Sequence, residues 1–315
     1  MNVTTGERKD HVYLHWHYSL TELTLMDNNL SDDGLVDIIT SLSMHRHLSK
    51  LDLDGNMLRK NGCLAMATLL KCSVTELRQL DLASNELDDE SIHALVPGLN
   101  SCSHLHTLRL SRNELITSKG WQHLATVLEA PNSNINGLVL AGNNVDDEAA
   151  VEIARSLVNN IKLVTLNLNS NQINAKGWKA FSKLLCDTSS INATFLSNHT
   201  LTCVNSSADS DTRASLQQLF VLNDRENKKQ IAMIKILQHH DDFDMMPFFE
   251  WEFKVLPLMI DWFERASEIP RVSFSQHISQ GKLSSIYQFV RAMPVLYVET
   301  RLKKDLEDSK PLNLK

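Results

Sequence analysis

The sequence predicts an α/β solenoid: a curved, right-handed superhelix with a parallel sheet on its concave side, helices on its convex side and a helical cap at the C-terminal end. Three observations predict it. The eleven residues LTELTLMDNNL, starting at Leu20, recur in register along the chain. Leucines inside each copy alternate with a period of two, and the stretch after each copy changes to a helical period.

Copies start at Leu20, Leu48, Leu77, Leu105, Ile135 and Leu163, with a degenerate seventh expected at Ile191. The fourth and sixth positions are apolar throughout, from Leu23 and Leu25 to Leu166 and Leu168, which describes a short strand with one buried face. Next comes a small residue (Gly34, Gly62, Ser91, Gly120, Ala149, Gly177), followed four, five and eight residues later by apolar or small ones. That spacing is one face of a helix, and the small residue is expected to let the helix approach the strand layer. Ser31, Asp88, Ser118, Asp146 and Asn174 stand where N-caps belong. The acidic runs at Asp88 and Asp146 read as complements to the helix dipole rather than metal ligands.

The ninth position is Asn in six copies: Asn28, Asn56, Asn85, Asn113, Asn143 and Asn171. A turn that follows a buried strand leaves backbone groups needing partners, and an amide side chain can donate and accept at once, so the asparagines are expected to bridge successive turns as a ladder. Strands about 4.8 Å apart backed by helices about 8–10 Å apart force such an array to bend.

These copies, of the form LxxLxLxxNxL(x)3GxxxLAxxL over about residues 20–201, resemble leucine-rich repeats of the ribonuclease-inhibitor-like subfamily. In ribonuclease inhibitor the ninth position alternates between Cys and Asn. With Asn throughout, this chain is more similar to Ran GTPase-activating protein and to the repeat domains of immune receptors. The resemblance implies that outward strand residues carry the interaction surface.

Those outward residues grade from acidic to uncharged. Glu22, Thr24, Met26 and Asp27, then Lys50, Asp52 and Asp54, then Gln79 and Asp81 make the first end negative. Arg109 and Arg112 follow, and then Gly137, Val139, Asn167, Asn169 and finally Phe195. A protein partner with a basic surface is the expected ligand of the acidic end, with close contact at the uncharged end.

The organisation reads as an edge strand and cap over residues 1–19, the array over 20–202, an irregular exit segment over 203–222 and a helical region over 223–315. Val12, Leu14, Trp16 and Tyr18 alternate with polar residues as an edge strand would. Seven aromatic residues between Phe243 and Phe263 mark a buried helix, and Pro257 and Pro294 should interrupt theirs. Covering the apolar edge of the last repeat is the task expected of this region.

Composition narrows the function. With 43% hydrophobic and 22% charged residues the chain is too apolar to be disordered. Its net charge of -7 comes from residues 1–224, where 25 acidic face 17 basic residues, while the rest carries 14 basic against 13 acidic, so nucleic acid is not an expected partner. With neither a signal-like start nor a run of about 18 apolar residues, a cytoplasmic or nuclear location and no membrane contact are expected. Five cysteines without CxxC spacing read as free thiols, and the sequons at Asn2, Asn29, Asn192, Asn198 and Asn205 as accidental. His15 and His17 have no third ligand at a recognisable spacing, and HHDDFD from His239 reads as a polar helix end. Phosphate-loop, HExxH, GxSxG and dinucleotide-binding patterns do not occur, so neither catalysis nor a cofactor is expected. The leading reading is a non-catalytic interaction scaffold. The alternatives are a regulator of a small GTPase, of the activating type, and a fragment of an immune-type sensor.

Overall fold

The computed structural model describes residues 20–240, apart from 44, 72–75, 206–207 and 225–227. The edge strand expected over 1–19 and the aromatic helix expected between Phe243 and Phe263 lie outside the described residues. So do Pro257, Pro294 and the rest of the C-terminal region from residue 241 onward. Two compact units are present. The first holds residues up to Asp187 together with Ser197–Glu226, and the second holds Thr188–Leu196 and the chain from Asn227 onward.

In the first unit, three-residue strands alternate with helices: β1 (Glu22–Thr24), α1 (Asp32–Leu42), β2 (Lys50–Asp52), α2 (Lys60–Lys71), β3 (Gln79–Asp81), α3 (Asp89–Ser101), β4 (Thr107–Arg109) and α4 (Ser118–Glu129). Then come β5 (Gly137–Val139), α5 (Asp147–Ser156), β6 (Thr165–Asn167) and α6 (Ala175–Leu185). The second unit contributes the short helix α7 (Ile191–Phe195), after which the first resumes with β7 (Cys203–Asn205) and α8 (Ser210–Asn223). Helix α9 (Lys228–His239) belongs to the second unit, where Thr194 Oγ1 lies 2.8 Å from His240 Nε2.

All seven strands form one parallel sheet in chain order, each paired with the next. Parallel neighbours need a crossover, and each repeat's helix supplies it. Register is strict: Leu23, Leu51, Leu80, Leu108, Leu138, Leu166 and Val204 stand side by side. From Leu51 to Leu166 these leucines are at most 1% exposed, as are Leu53, Leu82, Leu110, Leu140 and Leu168 two residues on. Burying each contributes roughly 1.5–3 kcal/mol. Helix residues such as Leu35, Leu95, Leu124 and Ile153 close the same core from behind.

The asparagine ladder forms as expected, and its geometry repeats. Asn56 Oδ1 accepts from the N–H groups of Asn28 (3.2 Å) and Leu30 (2.8 Å), while its Nδ2 donates to Leu25 O and Leu53 O. Asn113 treats Asn85, Leu87, Leu82 and Leu110 in the same way. Asn171 accepts from Asn143 and Val145 and donates to Leu140 and Leu168. One side chain therefore satisfies two amides of the preceding turn and the strand-end carbonyls of both repeats.

Helix capping follows a two-repeat rule that the sequence alone did not suggest. Ser31, Asp88 and Asp146 cap their own helices, accepting from Gly34, Ser91 and Ala149. The acid that follows each cap serves the next repeat. Asp32 accepts from Arg59 and Asn61, Asp89 from Thr117 and Gly120, and Asp147 from Asn174 and Gly177. Two of the expected caps therefore change: Thr117, not Ser118, caps α4, and Asn174 makes no side-chain cap bond of its own. The role of the small helix residue changes too. A Cβ on Gly62, Gly120 or Gly177 would stand 2.5–2.8 Å from the visiting carboxylate, and on Gly120 or Gly177 also 2.6 Å from Ile116 or Ile173, so these glycines admit a neighbour's acid as well as the apolar residue that follows their own strand.

The end of the array is a correction. The motif-like INATFLSNHTL forms α7, in which Thr194 is buried, and Leu196 just beyond it is 58% exposed. The seventh strand instead follows Leu201, with Val204 opposite Leu166. Residues 203–222 are accordingly not irregular: they hold β7 and most of α8. A second asparagine series supports this edge. Asn160 Nδ2 donates to Leu128 O, Asn198 Nδ2 to Leu157 O and Asn160 O, and Asn223 Nδ2 to Asn198 O and Leu201 O. Asn198 is 4% exposed with its amide committed, so folding closes that sequon. Cys63, Cys102, Cys186 and Cys203 are free thiols.

Asn113→Ala is expected to cost about 1–3 kcal/mol in chemical denaturation, because the groups it leaves unpaired are buried. Asp147→Ala should cost about 1 kcal/mol, the usual worth of a cap. Its signature is local: hydrogen exchange should quicken at the Asn174 and Gly177 amides and stay unchanged at Ala149, which Asp146 caps.

Candidate functional site

The register converts repeat positions into rows on the outer face of the sheet. One row runs Glu22, Lys50, Gln79, Thr107, Gly137, Thr165, Cys203, and a second runs Thr24, Asp52, Asp81, Arg109, Val139, Asn167, Asn205. Asp27, Asp54, Arg112 and Asn169 lie just past the strand ends, on the turns. Of the expected surface residues, Glu22, Thr24, Asp27, Arg109 and Arg112 are exposed, while Asp54, Asp81, Asn167 and Asn169 are half-buried.

Asp52 is only 8% exposed, and its role is partly internal. Its Oδ1 accepts from Asp54 N–H at 3.2 Å, as Asp81 accepts from Ala83 at 3.0 Å and Asn167 from Asn169 at 3.0 Å. An Asp or Asn here ties off the strand end in a local side-chain-to-backbone turn. Phe195 stands in none of these strand rows: it ends α7, which belongs to the second unit. Its place in the rows belongs to Asn205, which follows from moving the seventh strand.

A further feature of the surface escaped sequence reading. The eighth position adopts left-handed backbone in all six regular copies: Asp27 (φ 56°), Gly55 (69°), Ser84 (49°), Arg112 (55°), Gly142 (70°) and Ser170 (56°). Gly at two of these was a visible signal, but Asp, Ser and Arg at the others concealed it. The bend turns these side chains to the rim of the sheet. Asp27 consequently leans over the next turn, and a Cβ on Gly55 would stand 2.0 Å from its Oδ1.

Charge is concentrated where Asp52, Asp54 and Asp81 meet. Asp52 and Asp81 are direct cross-strand partners, and Arg109 Nε stands 3.8 Å from Asp81 Oδ2 on the other side. Asp54 Oδ1 is buried without a hydrogen-bond partner. Burial pushes the Asp81 carboxyl up, and Asp52 and Asp54 add to this, whereas the Ala83 amide and Arg109 pull it down without prevailing. The other end is small and neutral: Gly137 is buried between Thr107 and Thr165, whose hydroxyls lie 3.5 and 3.3 Å from the place of a Cβ. Among the described residues no group of three or more His, Cys, Asp or Glu could hold a metal, and no helix is long and apolar enough to cross a membrane.

Comparison with known proteins places these repeats. The family model described as Leucine Rich repeat matches residues 19–38, 75–96, 101–125 and 159–182. NACHT, LRR and PYD domains-containing protein 13 of Homo sapiens is 33% identical over 140 residues, which is 44% of this chain and 13% of that protein. Ribonuclease inhibitor of Sus scrofa is 35% identical over 142 residues, 44% of this chain and 30% of the inhibitor. NACHT, LRR and PYD domains-containing protein 2 of Homo sapiens is 28% identical over 211 residues, 56% of this chain and 20% of that protein. The chain thus spans less than a third of the length of each of these relatives.

The charge balance at Asp81 makes a pH prediction. A carboxyl whose folded pKa is raised costs stability when ionised, so the cost is present above the folded pKa and vanishes once pH falls below the unfolded value, about 3.9. Asp81→Asn keeps an acceptor for Ala83 and removes the charge. The variant should match or exceed the wild type in thermal stability at pH 7, and the difference should close as pH falls toward 4.

Proposed function

We propose that the protein, whose array is similar to leucine-rich repeats of the ribonuclease-inhibitor-like kind, is a non-catalytic scaffold that holds a protein partner on its concave sheet face. The observation that carries this reading is the pair of continuous rows on that face. Exposed Glu22 and Asp27 and half-buried Asp54 and Asp81 make one end acidic, and Gly137, Val139 and Ala141 make the other small and uncharged. A basic surface of the partner meets the acidic end, which steers and orients the encounter, and the small residues permit close packing further along.

The relatives support the reading without supplying the partner. Pig ribonuclease inhibitor is named for inhibition of an enzyme, a task done by contact, and its similarity covers 142 residues. Charge loss at the rim tests the proposal with little effect on folding, because Glu22 and Asp27 are exposed, and Asn at position 27 tolerates the left-handed backbone there. The Glu22→Lys, Asp27→Asn double variant should bind the partner that co-purifies with the wild-type protein roughly three- to tenfold more weakly. The loss should shrink at high salt. A control with equal charge change on the helices, Glu148→Lys with Asp37→Asn, should bind as the wild type does. Equal retention by both variants would remove the concave face as the interaction surface.

A further inference from the structure

Helices α3 and α4 bring two imidazoles into contact across their interface. His93 stands near the start of α3, two residues after Ser91, and His123 stands on α4, three residues after Gly120. Their ring centres are 4.6 Å apart and the ring planes are tilted by 52°. Both backbones are fixed by buried neighbours, Ile92 and Ala94 on α3 and Trp121 and Leu124 on α4. Solvent still reaches the pair, since His93 is exposed and His123 half-buried. None of the four ring nitrogens has a hydrogen-bond partner among the described residues.

A tilt of 52° matches neither stacked nor edge-to-face packing of two rings. It suits a shared ion. An ion lies in the plane of each imidazole that binds it, which stacked parallel rings cannot satisfy together and intersecting planes can. At roughly 2.0–2.1 Å from a ring nitrogen, an ion stands about 3.2 Å from the ring centre. Centres 4.6 Å apart then subtend about 90° at that ion, the cis angle of square-planar and octahedral complexes rather than the wider tetrahedral angle of zinc. Glu90, one turn before His93, is shared between Lys60 at 3.4 Å and Lys119 at 3.9 Å. No third His, Cys, Asp or Glu completes a ligand group among the described residues, so water fills the rest of the shell.

We propose that His93 and His123 chelate one copper(II) ion, which bridges the third and fourth repeats. Imidazole nitrogens suit copper, a tetragonal ion accepts two of them in cis, and copper leads the divalent metals in affinity for such donors. The fold presents the second imidazole at a high effective concentration, so the pair holds an ion that a single surface histidine does not. The site lies on the helices and stands or falls separately from the proposed interaction on the sheet face.

The test is a titration of the full chain, labelled for amide NMR, with copper(II) chloride. Below one equivalent, paramagnetic broadening should begin at the amides around His93 and His123. The other closely spaced pairs, His45 with His47 and His104 with His106, are internal controls and should broaden later. His93→Ala and His123→Ala should each weaken the tightest copper site by roughly hundredfold, the worth of the second point of attachment. The double variant should bind hardly worse than either, because one imidazole alone has already lost the chelate. Zinc chloride should bind the wild type less tightly than copper does. Broadening that begins at another histidine pair, or a tightest site unchanged in both single variants, would overturn the proposal and leave a packing contact between two rings.

Discussion

The outer face of the sheet depends on how the turns after its strands satisfy their backbone. Each strand is three residues long, so each repeat must leave the sheet almost as soon as it enters, exposing amides and carbonyls at the edge of a dry core. The asparagine ladder is the solution. Asn56, Asn85, Asn113 and Asn171 each bind the turn before and the strands on both sides, and Asn143 binds the turn and the strand before it, which ties adjacent repeats together alongside the sheet. Because Asn must point inward from a turn, the residue before it takes left-handed backbone, and the surface rim inherits its direction from that requirement.

The helices impose a second, longer period. An acid that follows the cap of one repeat completes the start of the next helix, so Asp32, Asp89 and Asp147 join the repeats in pairs. The receiving repeats keep glycine where the carboxylate arrives, while Ser91 and Ala149 stand at the same place in repeats that cap themselves. Charge that looked like surface acidity is thus largely structural at this edge. Asp88 shows the balance: partial burial raises its pKa, and the hydroxyl and amide of Ser91 together overcome that and leave it lowered.

Strands, helices and ladder were legible because they rest on in-register patterns whose physics is local: period two, period 3.6, and an amide after a buried strand. What was not legible depended on contacts between repeats. Nothing within one copy says that Asp89 belongs to Thr117, or that Asp147 belongs to Asn174. The seventh strand was misplaced because INATFLSNHTL imitates the motif while folding as a helix. A usable signal was nevertheless present. Asn160 and Asn198 each stand three residues before the leucine that opens a strand, Leu163 and Leu201, and both accept from that leucine's amide. Weighing that pair against the degenerate motif would have moved the strand to its place and removed Phe195 from the surface.

The same coupling bears on how the outer sheet face can change. Its central row is not free to vary, since Asp52, Asp81 and Asn167 each hold the amide two residues on. A substitution there alters a turn as well as a contact, and an Asp-to-Lys exchange would remove an acceptor from a half-buried strand end. Glu22, Thr24, Asp27, Arg109 and Arg112 are exposed, and of these Arg109 lies 3.8 Å from Asp81 of the preceding repeat. Substitution at the exposed positions therefore costs folding little, while the acidic centre is tied to the strand ends. The negative charge at Asp52 and Asp81 is in part a consequence of closing strands with carboxylates, which accept from Asp54 and Ala83.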